Sequence, residues 1–110
     1  IFQKIIKMIS YNTDISYPKV IDSTEWIDLD KYKGLETRKG VYILSNFFYQ
    51  VKYVGWAGDG DLVKEISGAI KNGKSAGASK IKVLYTKSEL FAMVLEKRLI
   101  DKYNPINNFK

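Results

Sequence analysis

Short β-branched and aromatic runs separated by polar turns occupy the middle of the chain, and a longer mixed run closes it. VYIL at 41–44 and VKYVG at 51–55 carry the residue types that pleated strands favour. The link between them, SNFFYQ, is short enough for a hairpin, which makes the pair antiparallel. Its adjacent Phe47 and Phe48 either fold back on the core or mark a contact surface. WAGDGD is a flexible turn. Next, LVKEISGAIKNG sets Leu62, Ile66, Ala69 and Ile70 roughly on one helical face, with Asp61 as the expected cap and Gly73 as the stop. After the loop KSAGAS, IKVLY at 81–85 reads as a third strand.

The last element has the plainest signal. Thr86 and Glu89 fit a capping box, and a helix is expected from about residue 88 to Tyr103, with Pro105 stopping it. At 100° per residue, Leu90, Ala92, Met93, Leu95, Leu99, Ile100 and Tyr103 share an apolar arc, with Lys97, Arg98, Asp101 and Lys102 outside it. Glu96 falls inside that arc. A carboxylate on a packed face costs several kcal/mol, in order of magnitude, unless it is paired or holds a cation. Two readings stay open: a salt bridge or a water-reaching edge position, and a metal-binding or catalytic carboxylate. One carboxylate suffices for Mg²⁺ when waters and a phosphate complete the shell.

The first 39 residues are harder to assign. IFQKIIKMIS fits a short amphipathic helix or a strand equally well. Pro18 interrupts regularity, Ser23 or Thr24 caps a turn, and Trp26 and Ile27 are expected to pack on the core. Residues 1–39 therefore read as an extension packed on a domain of residues 40–110, and Ile1 reads as the start of a processed or trimmed piece.

A chain of 110 residues has room for one modest core. With no cysteine and no histidine, it excludes disulfides, thiolate or imidazole metal sites, and the Ser-His-Asp layout. No window is apolar enough for a membrane span, so a cytoplasmic or otherwise intracellular location is expected. The net charge of +6 is concentrated: residues 1–63 carry eight basic and eight acidic side chains, whereas residues 64–110 carry ten and four. Such a bias serves either solubility or attraction of a polyanion, with Lys64, Lys71, Lys74 and Lys80 as candidate phosphate contacts.

Three phrases in order, GVY at 40–42, YVG at 53–55 and LEKRLIDKYNPINNF at 95–109, resemble the GIY-YIG nucleases. The resemblance covers residues 40–109 and implies an α+β fold: a small three-stranded antiparallel sheet flanked by helices, in the order β-β-α-β-α. It implies cleavage of DNA phosphodiesters with one divalent metal, Mg²⁺ or Mn²⁺. Carried over by position, Tyr42 and Tyr53 match the motif tyrosines, Gly55 the motif glycine, Glu96 the metal ligand, and Asn108 the asparagine that organises the site. The plain alternative for each tyrosine is a ring packed on the sheet with its hydroxyl at the edge. The match fails at one place. The helix after YVG carries Glu65 or Val63 where the family has an arginine, and neither donates to a phosphate. Three functions follow: a metal-dependent DNA endonuclease, a catalytically degenerate DNA-binding domain, or a protein-interaction domain using Phe47, Phe48 and Tyr49.

Overall fold

The structure, a computed structural model, describes residues 20–110. The helix-or-strand expectation for 1–10 and the break at Pro18 lie outside the described residues. Strands β1 (Val20–Ser23), β2 (Ile27–Asp28), β3 (Gly40–Ser45), β4 (Val51–Ala57) and β5 (Lys80–Thr86) form one sheet, with helices α1 (Leu62–Lys71) and α2 (Glu89–Tyr103). Among the described residues there are also two 3₁₀ turns, Leu29–Gly34 and Ile106–Phe109.

The sheet has five strands, and the expected three-stranded β-β-α-β-α arrangement is incorrect. The strand order is β1-β5-β3-β4, with β2 also paired to β5, and every pairing is antiparallel. The two additional strands come from the stretch expected as an irregular arm. Val20 to Asp28 runs beside β5 as one interrupted strand, and Thr24 bridges the interruption. Its backbone N–H donates to Val83 O (3.0 Å), and its Oγ1 accepts from Val83 N–H (2.9 Å). No backbone group of Val83 is thereby left unpaired where the regular ladder stops.

The two faces of the sheet hold separate cores. One buries Val41, Ile43, Val54 and Leu84 under Ala92, Leu95, Leu99 and Tyr103 of α2, with Trp26 packed at its margin. The other buries Tyr42, Leu44, Val83 and Tyr85 under Leu62, Ile66 and Ala69 of α1, with Ile27 at its margin. Because both faces are covered, every residue of β3 is buried, which is why VYIL reads as an unbroken apolar run instead of an alternation. Gly40 is required here, because a Cβ would lie 2.5 Å from the Leu84 carbonyl on β5.

Local details correct three expectations. Asp61 makes no side-chain cap; Leu62 N–H donates instead to Oγ1 of Thr37, 25 residues upstream, at 2.9 Å. Ser88 caps α2 by accepting from Phe91 N–H, while the Thr86 hydroxyl donates to the Ser88 carbonyl, so no Thr86–Glu89 box forms. Leu90 and Met93 are exposed, leaving α2 a narrow buried seam of Ala92, Leu95, Leu99 and Tyr103. The helix ends at Asn104, which takes a left-handed conformation (φ 45°) just before Pro105.

Candidate functional site

β4 is the outermost strand, and the candidate residues gather around it. Tyr42 projects from β3 onto the α1 face, and Tyr53 from β4 packs against the same cluster. Their ring centroids are 6.1 Å apart, with planes tilted by 44°. Gly55 makes that arrangement possible: a Cβ there would stand 2.4 Å from the Tyr42 Oη, so only glycine lets the phenol lie across β4.

The two phenols are not equivalent. Tyr42 is buried (3% exposed), whereas Tyr53 is only partly covered. Burial pushes the Tyr42 phenol far above its ordinary range, and the negative charges of Glu65 and Glu96 push it further. Tyr53 is also raised, first by burial and then by Glu96 and Glu65, but its hydrogen bond with Tyr42 acts in the opposite direction and lowers it.

Asn108 fixes the strand between Tyr53 and Gly55. Its Oδ1 accepts from Val54 N–H and its Nδ2 donates to Val54 O, both at 2.9 Å. The side chain acts as one rung of a sixth strand, closing the outer edge of β4. Asn108 is thus a positioning residue. Its neighbour Asn107, not anticipated from the sequence, is fully buried and donates from Nδ2 to the carbonyls of Lys74 and Ala76. It ties the lysine-bearing 71–79 loop to the chain end; two consecutive asparagines after a helix-stopping proline were the available signal.

Glu96 projects from α2, the helix on the opposite face, yet its charge acts on both phenols. It is half-buried, burial raises its carboxyl above the usual range, and no cation pairs with it among the described residues. Its oxygens are hard donors of the kind Mg²⁺ or Mn²⁺ takes. Among the described residues no cluster of three or more acidic side chains forms a metal cage, so the protein would supply few ligands and solvent or substrate the rest.

The arginines are placed elsewhere. Arg38 is held by Asp22 (2.7 Å) and Glu36 (3.3 Å) and lies 4.1 Å over the Tyr85 ring, while Arg98 is on the exposed side of α2. Of the candidate lysines, Lys64 and Lys71 are exposed on α1, Lys74 donates to the Lys110 carbonyl, and Lys80 pairs with Asp28 at 2.8 Å. A cleft of about 200 Å³ opens beyond Gly55, lined by Trp56, Ala57, Gly58, Asp61, Glu65 and Glu89. Carboxylates border it, and Tyr42, Tyr53, Glu96 and Asn108 are not among its lining residues. In the sequence Asp61 and Glu89 read only as helix-capping residues, and nothing in their spacing signals a shared cleft. Comparison with family models and with curated proteins finds no match to this chain.

Proposed function

We propose that the chain is a divalent-metal-dependent DNA endonuclease that hydrolyses phosphodiester bonds. The observation that carries this reading is the phenol pair at β4 under the charge of Glu96. The ordered phrases that resemble the GIY-YIG nucleases support it. So does the half-buried Glu96 carboxylate, whose desolvation a divalent cation would offset.

In this scheme Tyr53 acts as the phenolate: it first gives its own proton to solvent and then takes one from the attacking water. It is the more open phenol, and a cation at Glu96 would offset the burial and acidic charges that raise it. Buried Tyr42 stays protonated and orients the Tyr53 oxygen. Asn108 keeps Tyr53 and Gly55 in register, and Gly55 leaves room for the Tyr42 ring. Glu96 would hold the Mg²⁺ or Mn²⁺, which when bound supplies positive charge against the developing phosphorane and leaving oxygen. Exposed Lys64 and Lys71 hold the DNA backbone without reading its sequence.

Glu65 favours a second reading, a DNA-binding domain that has lost turnover. It stands where an arginine would be expected, and its charge bears on both phenols, so it opposes a phosphate in that seat. Nicking of supercoiled plasmid with Mg²⁺ or Mn²⁺, run beside Glu96→Ala, separates the two. Nicking that requires both metal and Glu96 establishes the nuclease. A folded protein that shifts DNA in a gel without nicking it is the binding domain.

A further inference from the structure

The β3–β4 hairpin ends in Asn46-Phe47-Phe48-Tyr49, and this tip is built with more care than a connection needs. Asn46 Oδ1 accepts from both Phe48 N–H and Gln50 N–H at 2.9 Å, and Asn46 Nδ2 donates to Gln50 Oε1 at 3.2 Å. Two backbone bonds close the loop, Asn46 N–H to Gln50 O and Tyr49 N–H to Asn46 O. Tyr49 is held at φ 64°, a left-handed conformation that glycine would adopt without strain. Its ring is braced against Trp26 at 5.4 Å. The outcome of this bracing is that Phe47 and Phe48 stand out into solvent, 68% and 71% exposed, edge to face with centroids 5.5 Å apart.

Two lysines stand near the tip. Residues 40–58 contain Lys52 and no acidic side chain, and Lys80 opens β5 opposite Ser45 at the hairpin base. The loop before β5 lies against the hairpin base, since Ser79 N–H donates to Ser45 O and a Cβ at Gly77 would lie 3.7 Å from the Lys52 side chain. Lys80 Nζ lies 6.0 Å from the Phe47 ring centroid while bonded to Asp28. Along the strand, Phe48 is five residues from Tyr53, at most about 17 Å at ~3.3 Å per residue. That spans about five nucleotides at ~3.4 Å each.

We propose that Phe47 and Phe48 form an aromatic wedge that stacks on unpaired or unstacked nucleobases beside the phosphate held at Tyr53, making the domain selective for distorted DNA. The inference rests on the DNA reading above. Bases offer a flat face to each ring, neighbouring lysines take the phosphates, and the rigid loop costs little ordering on binding.

The test is binding of a labelled duplex, fully paired or carrying an unpaired bulge, measured by anisotropy without divalent metal at one salt concentration. Wild type is expected to prefer the bulged duplex. F47A/F48A is expected to bind the paired duplex nearly as well but to lose about tenfold or more of that preference, the equivalent of one stacked base. F47W/F48W is expected to keep it. A double-alanine protein with unchanged preference overturns the wedge and leaves the DNA reading standing. Absence of binding to either duplex overturns both. Retention on phosphatidylserine vesicles that is lost in F47A/F48A, with DNA binding unaltered, overturns the wedge in favour of a lipid surface.

Discussion

Glu96 is a carboxylate that the fold half-buries without giving it a cation among the described residues, and this has a thermodynamic signature. Because burial raises its folded-state pKa, the folded protein holds this proton more tightly than the unfolded chain. The penalty is absent below the ordinary carboxylate range, grows as pH rises from there, and is complete above the raised folded value. Glu96→Gln is therefore expected to raise Tm at pH 7, with the gain shrinking toward pH 4 in melts across that range. If Glu96 holds the metal, millimolar Mg²⁺ raises the wild-type Tm and leaves that of Glu96→Gln unchanged; a hundredfold excess over Kd stabilises by about 2.7 kcal/mol. The tyrosines divide by the same logic. Tyr53→Phe is expected to reduce nicking by about 10²–10⁴-fold, the usual worth of a positioned acid or base. Tyr42→Phe removes the hydrogen bond that lowers the Tyr53 phenol, so the rising limb of the pH–rate profile moves to higher pH. A Tyr42→Phe profile that keeps its midpoint would reverse the assignment.

At the scale of elements, β4 depends on two contacts that no propensity describes. Removing the Asn108 amide leaves Val54 N–H and C=O without their partner at the sheet edge. Asn108→Ala is expected to cost about 1–3 kcal/mol in denaturant melts and to loosen Tyr53 with it. Gly55→Ala drives a methyl into the Tyr42 ring and is expected to cost about 1–3 kcal/mol, with loss of the rigid ring pair visible in near-UV circular dichroism. Both sites were legible in the sequence only as motif positions. The hairpin, β5 and the two α-helices were legible as elements, because each is a continuous run of consistent propensity. β1 and β2 were not, since they are four and two residues long and are joined through a Thr24 side-chain bond rather than a shared apolar period. The arc on α2 was drawn too wide: a helix on a small sheet buries one seam, so Leu90 and Met93 face out and Glu96 sits at the seam's border. The carboxylate-lined cleft was illegible for a related reason, because it joins the end of β4 to the starts of both α-helices.

The whole molecule has an asymmetric charge that the fold keeps asymmetric. No helix among the described residues is long and apolar enough to cross a membrane. The acidic side chains Asp61, Glu65 and Glu89 line the cleft beyond Gly55, while Lys71 ends α1, Lys80 opens β5, and Lys74 lies in the loop between them that Asn107 pins. A polyanion approaching this surface is steered away from the cleft and toward the loop and hairpin tip. Such steering is electrostatic and must respond to salt. If Lys71 and Lys74 each neutralise one phosphate, K71Q/K74Q is expected to flatten the plot of log K against log salt by about 1.8, at ~0.9 per phosphate on duplex DNA. Lys74 must first give up its bond to the Lys110 carbonyl, which costs little at an exposed position. Glu65→Gln has the opposite sign: removing a negative charge that faces the phenols should strengthen binding without changing that slope, because it adds no phosphate contact. Equal slopes for wild type and K71Q/K74Q would place the DNA path elsewhere on the molecule, and a Glu65→Gln protein that binds no more tightly would remove Glu65 from the phosphate seat.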